Sequence, residues 1–190
     1  QAAPDTETMC EVCQGGRYQE ELVSVVYGCK TCVRGQATVD RNTSCVSCTG
    51  GRYQELNVAT SYNCKTCGPG VYSTNSNSSC SSCPSGEYQI ETAASDYTCL
   101  ACGTGRASSN ASSACITCVG GKYQSEAEAT SYHCKTCSRG FATPNRNTSC
   151  TQCVSGKFQH LVAATQYNCK VCSQGQAARN TTTECVACVQ

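Results

Sequence analysis

The chain has 190 residues, of which 22 are cysteine, and it carries a formal net charge of +1. With no Trp, two Phe and one Met, it lacks the side chains of a conventional core, so covalent cross-links must offset its conformational entropy. The near-neutral charge argues against nucleic acid as a partner, and no apolar run is long enough to cross a bilayer. Cysteine at this density is typical of an oxidising compartment, and we expect a secreted or cell-surface protein.

The cysteines define a strict repeat. Eleven C-x2-C pairs are separated alternately by 15 and 12 residues, which makes a unit of 35 residues. A period of this length indicates a tandem array. We predict an N-terminal tail, five repeats and a partial repeat, at 1–9, 10–44, 45–79, 80–114, 115–149, 150–184 and 185–190.

Each repeat has a long half and a short half, named after the gap that follows the C-x2-C pair. In all ten halves a Gly stands three residues after the second Cys, as in CTGGRYQ of one long half and CVRGQAT of one short half. A Gly at a fixed place indicates a positive φ or a close approach of backbones. No segment shows a sustained helical period. We therefore predict a small disulfide-rich fold of short β-hairpins with little hydrophobic core, arranged as an elongated, rod-like, solenoid-like array.

Zinc sites and disulfides are both compatible with C-x2-C pairs. Eleven pairs do not divide into complete four-thiolate sites, so we expect disulfides and no metal. A crossed scheme would join Cys10 to Cys29 and Cys13 to Cys32, but it treats the two gaps differently and leaves one pair over. The simplest scheme is a ladder that joins the second Cys of each pair to the first Cys of the next. Its bridges are Cys13–Cys29, Cys32–Cys45, Cys48–Cys64, Cys67–Cys80, Cys83–Cys99, Cys102–Cys115, Cys118–Cys134, Cys137–Cys150, Cys153–Cys169 and Cys172–Cys185.

The ladder leaves Cys10 and Cys188 without partners. One explanation is that the 190 residues belong to a longer array, or that the two thiols are free or capped. The other is an intermolecular disulfide from Cys188 of one molecule to Cys10 of the next, because a head-to-tail contact of this kind generates a filament. Both explanations are compatible with the sequence, and the second predicts self-association.

N-x-[ST] sequons occur once in every repeat, always in the short half. Such a sequence is the acceptor of N-linked glycans in secreted proteins. We expect attached N-glycans and no other cofactor. The predicted sites are Asn42, Asn77, Asn110, Asn147 and Asn180.

Two further residue types recur in the long halves. Aromatic residues stand nine positions apart, as at Tyr53 and Tyr62, and we expect them to pair across a hairpin or to cover the sulfurs. A Gln follows the first aromatic residue, as at Gln54, where an amide stack between repeats and simple solvent exposure are both open. His133 and His160 have no evident catalytic partner, and no nucleophile motif or phosphate-binding loop is present, so we predict that the chain is not an enzyme.

The string C-x2-C-x2-G-x-[YF] followed by the 15-residue gap resembles the cysteine-rich repeats of ephrin-receptor-like and tumour necrosis factor receptor-like ectodomains. It is also similar to the C-x2-C repeats of protist surface coats. In the receptor family the small module has a bridge from the Cys before the Gly to the next Cys, which supports the ladder. The regular array favours an extracellular structural glycoprotein, coated with N-glycans and assembled into a fibre or surface coat. The alternative is a receptor-like or adhesive ectodomain that binds a protein or glycan ligand.

Overall fold

The computed structural model describes residues 11–23 and 28–188. No helix forms in these residues, and each strand is two residues long. The strands are β1 (Arg17–Tyr18), β2 (Lys30–Thr31), β3 (Gln36–Ala37), β4 (Val46–Ser47), β5 (Val71–Tyr72), β6 (Ser81–Ser82), β7 (Glu87–Tyr88), β8 (Leu100–Ala101), β9 (Arg106–Ala107), β10 (Ile116–Thr117), β11 (Phe141–Ala142), β12 (Thr151–Gln152), β13 (Lys157–Phe158), β14 (Lys170–Val171), β15 (Gln176–Ala177) and β16 (Val186–Ala187).

Strands that follow one another in the chain pair as antiparallel hairpins, from β1 with β2 to β15 with β16. In β3–β4, for example, Gln36 lies opposite Ser47. Two long halves have a single antiparallel bridge instead, Tyr53 with Lys65 and Tyr123 with Lys135. The predicted hairpins are therefore confirmed, with one pairing for each half.

A tight turn precedes the first strand of each hairpin. In the second repeat Gly50 and Gly51 have φ angles of 58° and 68°, and the Arg52 N–H donates to the carbonyl oxygen of Thr49 at 3.3 Å. Positive φ at both central residues is the mark of a type I′ turn, a conformation that glycine favours. Here the turn leads into the hairpin and does not connect its two strands. The Gly that recurs after every C-x2-C pair has a positive φ in all ten halves, as predicted.

Ten disulfides join the described cysteines, and they pair the same residues as the ladder. They close two kinds of hairpin. Long hairpins have bridges that span 16 positions, such as Cys48–Cys64, and short hairpins have bridges that span 13 positions, such as Cys67–Cys80. Cys10 lies outside the described residues.

The chain divides into two compact units. The first comprises residues 1–83 with 89–99, and the second comprises residues 84–88 with 100–190. Each unit contains five of the ten disulfides.

The core of each unit consists of small residues. Apart from Phe158, the buried hydrophobic side chains of the described residues are all Cys and Ala. The second Cys of a pair is the most enclosed, as at Cys32 and Cys67. Because Ala and Cys bury little apolar area, the disulfides supply much of what a hydrophobic core supplies elsewhere. The prediction of little hydrophobic core is confirmed.

Candidate functional sites at the repeat junctions and the sequon loops

In repeats two to five, four residues near the end of the long-hairpin loop contact the preceding repeat. We call them the docking segment, and each reads Ala-x-x-Tyr: 59–62, 94–97, 129–132 and 164–167. In 59–62, the Ala59 N–H donates to the carbonyl oxygen of Cys32 at 2.9 Å. The Tyr62 hydroxyl donates to the carbonyl oxygen of Cys13 at 2.9 Å. One segment therefore binds both hairpins of the repeat before it.

The same two donor groups recur along the chain. The Tyr97 hydroxyl donates to the carbonyl oxygens of Cys48, at 3.2 Å, and Arg52, at 2.8 Å. In the second unit the Tyr167 hydroxyl donates to the carbonyl oxygen of Cys118 at 3.1 Å. The Ala N–H contact is present in each docking segment, with N–O distances of 2.9 to 3.2 Å. The four described junctions thus use the same donor groups, although Tyr132 donates to the carbonyl oxygen of Pro84, at 3.4 Å, rather than to that of the preceding Cys.

The repeated Gly of a long hairpin lies directly beneath the next docking segment. A Cβ atom added at Gly51 would lie 2.4 Å from the carbonyl oxygen of Ala94, and one at Gly121 would lie 2.6 Å from the backbone nitrogen of Gln166. Both distances are well inside van der Waals contact, so these positions exclude any other residue. At Gly156, in the fifth repeat, a Cβ atom would meet nothing within 4 Å. The Gly therefore serves the junction as well as the turn.

The Gln that follows the first aromatic residue is a second junction element. Gln54 is 2% exposed, and its Nε2 donates to the carbonyl oxygens of Val33 and Leu56, both at 3.0 Å. Its Oε1 accepts the Leu56 N–H at 2.6 Å, and its backbone oxygen accepts the Gly35 N–H at 2.9 Å. Of the two expectations for this Gln, simple exposure to solvent is wrong. The side chain is buried because it satisfies backbone groups of two repeats at once.

The two aromatic residues of a long half do not pair across the hairpin, and that prediction is wrong. Tyr53 lies opposite Lys65, and Phe158 lies opposite Lys170. The second aromatic residue, such as Tyr62, belongs to the docking segment and leaves the hairpin to reach the preceding repeat. The corresponding Tyr27 of the first repeat lies outside the described residues.

The loops of the short hairpins carry the sequons, and we call them the sequon loops: 38–44, 73–79, 108–114, 143–149 and 178–184. Each contains an Asx turn, in which the side-chain oxygen of an Asp or Asn accepts the N–H of the residue two positions later. The Asn75 Oδ1, for example, accepts the Asn77 N–H at 2.8 Å. The turn-forming residues, 35 positions apart, are Asp40, Asn75, Asn110, Asn145 and Asn180.

A buried hydroxyl closes the sequon loop from within. The Ser73 hydroxyl lies 2.6 Å from the carbonyl oxygens of both Asn75 and Ser78, and the residue is fully buried. Thr38, Ser108 and Thr143 make the equivalent contacts in their own loops. These side-chain bonds are all within one loop, and the next repeat adds a backbone bond to it: the Asn63 N–H, for example, donates to the carbonyl oxygen of Thr38 at 2.8 Å.

All five predicted glycan acceptors are exposed, namely Asn42, Asn77, Asn110, Asn147 and Asn180. Cys188 is also exposed, and its thiol is free. The predicted partner Cys10 lies outside the described residues. Sequence reasoning identified these residues but missed the docking segment, although Ala-x-x-Tyr recurs every 35 positions, and it missed the turn-forming Asp or Asn for the same reason.

Ion pairs cross the long hairpins. The Lys65 Nζ lies 2.6 Å from the Glu55 Oε1, and the Lys30 Nζ lies 2.7 Å from the Glu20 Oε1. The hydrogen bond from Lys65 lowers the pKa of the Glu55 carboxyl below its usual 4.5, against a smaller opposing effect of burial. These side chains are about one third exposed, so solvent and salt partly screen the pairs.

The described part of the chain contains no group of three or more His, Cys, Asp or Glu side chains placed to hold a metal ion. No helix that could span a membrane occurs among the described residues. No family model matches the chain, and no curated protein matches it either.

Proposed function

We propose that this chain is an extracellular structural glycoprotein, a subunit or segment of a fibre or surface coat, with a structural rather than catalytic role. The observation that carries the proposal is that all four docking segments, from 59–62 to 164–167, bind the preceding repeat through the N–H of their Ala and the hydroxyl of their Tyr. An interface that recurs with the same donor groups suits an assembly that grows by similar steps, with each repeat in contact with its neighbours. A receptor with one ligand site has no need of such uniformity.

The disulfides support the extracellular part of the proposal. Ten bridges in a chain of this size suit an oxidising compartment, because reducing compartments keep thiols free. The exposed sequon in every repeat is in keeping with passage through the secretory pathway.

The fifth repeat displays a surface that the next repeat covers elsewhere, with its docking segment over the Gly of the long hairpin and its sequon loop over the Gly of the short hairpin. Gly156 and Gly175 have no neighbouring atom within 4 Å of an added Cβ, and Ala177 is exposed, whereas its counterparts Ala37 and Ala142 are buried. A further repeat fits this surface, whether a longer chain or a second molecule supplies it. We extend the proposal to a head-to-tail assembly fastened by a disulfide.

In that disulfide the Cys188 sulfur bonds to the Cys10 sulfur of the next molecule. Two thiol protons and two electrons leave, and the electrons pass to the disulfide donors of the oxidising compartment. The reaction needs an accessible thiol, and Cys188 is exposed.

Electron microscopy of the native material tests the fibre, and non-reducing electrophoresis of the full chain tests its covalent link. We expect regular filaments, a series of multimers that collapses to monomer on reduction, and loss of that series in Cys188→Ser. Peptide mapping of the ten internal disulfides is the control for folding of the variant. Dispersed single molecules in native material contradict the fibre. A monomer unchanged by reductant contradicts only the Cys188–Cys10 bond.

The adhesive alternative has one observation in its favour, which is a groove that recurs at equivalent places in the second unit. One copy is lined by Ala107, Ile116 and His133 and holds about 130 Å³, and the other holds about 190 Å³. Ligand pockets for small molecules usually hold about 300 Å³ or more, so each groove suits no more than a small group such as one sugar. Saturable binding of the isolated chain to a glycan or protein array, without filaments in the native material, would favour this function instead.

A further inference from the structure

The sequon loops contain two places for Asn, two residues apart. The first place is the Asx turn, where residue 40 and its counterparts are Asp or Asn in every repeat and make the same bond. The second place is residue 42 and its counterparts. Only the first place is explained by the turn, and Asp40 shows that the turn forms without Asn.

The sequon stands at the second place in three repeats and at the first place in two. Asn42, Asn77 and Asn147 are at the second place, and Asn110 and Asn180 are at the first. In the latter two repeats Ser112 and Thr182 fill the second place, and each supplies the hydroxyl that completes the earlier sequon. Every repeat thus keeps one sequon, although its position changes.

The identity of the residue two positions after the second place depends on where the sequon stands. It is Ser where a sequon at the second place needs a hydroxyl, and it is Ala or Glu where the sequon has moved to the turn. The residues are Ser44, Ser79 and Ser149 on the one hand, and Ala114 and Glu184 on the other.

The fold does not explain the presence of Ser, although the Glu184 Oε1 lies 3.8 Å from the His160 Nε2. The side chains of all five residues are exposed. Within the described residues, the hydroxyls of Ser44, Ser79 and Ser149 make no hydrogen bond, in contrast to the buried hydroxyl of Ser73. These Ser hydroxyls make no hydrogen bond in the turn, the loop or the junction that the structure describes. Recognition by an enzyme outside the chain explains their presence.

We propose that each sequon loop is built to carry one N-linked oligosaccharide, at either of two places, and that Ser44, Ser79 and Ser149 are present for recognition by the glycosyl-transfer machinery. The inference rests on the extracellular location in the proposed function. In the transfer, C1 of the first sugar bonds to the Asn Nδ2, its bond to the pyrophosphate of a lipid-linked donor breaks, and Nδ2 loses one proton. Asn75 and Asn145 then remain unmodified as turn formers.

The two places differ in what lies beside the glycan. At the second place the side chain lies against the preceding repeat, since an added Cβ at Gly35 would touch the Asn77 Oδ1 and one at Gly140 would lie 3.0 Å from the Thr182 Cγ2. At the first place the Asn110 Oδ1 is held within its own sequon, by the Ser112 N–H at 2.9 Å and the Ser112 hydroxyl at 3.0 Å. A glycan therefore starts either at a repeat junction or on the turn.

The test is site-specific mass spectrometry of the full chain secreted from a eukaryotic host, with enzymatic deglycosylation in heavy-oxygen water to mark each occupied Asn. Asn77→Ser removes one sequon and completes a new one that begins at Asn75, so we expect the glycan to move to Asn75 with no loss of glycan number. Ser112 and Thr182 show that a hydroxyl residue fits this place. The matched variant Asn42→Ser leaves Asp40 at the turn, which cannot accept a sugar, and we expect the loss of one glycan.

A second pair of variants tests the recognition residue. Ser79→Ala is expected to abolish the glycan at Asn77, whereas Ala114→Ser leaves the glycan at Asn110 unchanged. Mapping of the ten disulfides shows that each variant has folded. Unmodified Asn42, Asn77 and Asn147 in the secreted wild type, or an unmodified Asn75 in folded Asn77→Ser, would overturn the proposal. Filaments of unglycosylated protein would defeat this inference alone, and glycosylated chains that never assemble would defeat the fibre alone.

Discussion

The long and short hairpins share a C-x2-C pair, a turn with Gly and a pair of antiparallel strands, yet the contacts of their loops differ. The long loop reaches outward, and its docking segment binds carbonyl oxygens as far as 49 positions back in the chain, as Tyr62 does with Cys13. The short loop turns inward, where a buried hydroxyl such as that of Ser73 binds carbonyl oxygens two and five positions ahead. Both hairpins contact a neighbouring repeat, but only the short one presents a sequon.

The two loops differ in what shapes them. The side-chain bonds of a sequon loop lie within it, although the next repeat also bonds its backbone, as the Asn63 N–H does at the carbonyl oxygen of Thr38. A docking segment depends more on its neighbour, since its Tyr and its Ala bind the repeat before it and its backbone packs on a Gly of that repeat. Substitutions in the two loops should therefore differ in how far their effects spread.

The largest effect is expected for Gly51→Ala, set against Gly156→Ala. Both residues have positive φ, so an Ala at either position lowers the free energy of unfolding by about 1–2 kcal/mol through backbone strain. Only the Cβ at residue 51 meets the Ala94 carbonyl, which should add about 1–3 kcal/mol of overpacking. Native-state hydrogen exchange at residues 94–97 measures the difference, and equal losses in the two variants would contradict the docking role of the Gly.

An intermediate effect is expected for Thr143→Val in a sequon loop. The substitution removes a buried hydroxyl that lies 2.6 Å from the carbonyl oxygens of Asn145 and Thr148, at a cost of about 1–2 kcal/mol. Hydrogen exchange should rise within 143–149 and stay unchanged in 164–167. The fifth repeat has Ala178 at this place, so Ala178→Ser is the reverse experiment and should stabilise its loop. Loss of protection in both loops of Thr143→Val would show that they are coupled.

The smallest effect is expected from the ion pairs of the long hairpins. Lys65 holds the pKa of Glu55 below that of the unfolded chain, so the pair stabilises above that unfolded value and its contribution is lost as pH falls through the folded one. Because the pair is about one third exposed, we expect a change below about 1 kcal/mol between pH 7 and pH 3. Thermal unfolding of the wild type and Glu55→Gln measures it. An acid loss that persists unchanged in Glu55→Gln would come from other groups.

The local structure could be read from the sequence because its causes are local. A Gly three residues after each Cys pair predicts the turn, and the regular spacing predicts which cysteines are near enough to bridge. The junctions could not be read in this way. Whether Gln54 is buried depends on the carbonyl of Val33 in another repeat, and whether Tyr62 faces Tyr53 or Cys13 depends on how repeats stack. The recurrence of Asp or Asn at residue 40 and its counterparts was visible, but its role needed the loop geometry.

The ladder of disulfides also determines how this chain responds to tension. A pulling force travels through the bonds, crossing each bridge between Cα atoms about 5.7 Å apart and then the short C-x2-C link. The link extends to about 10 Å, so an oxidised repeat reaches at most about 32 Å, against about 120 Å for its 35 residues when reduced. Roughly three quarters of the contour is locked inside the loops. Oxidised, the chain can extend to only about a quarter of its full contour, and only reduction releases the rest.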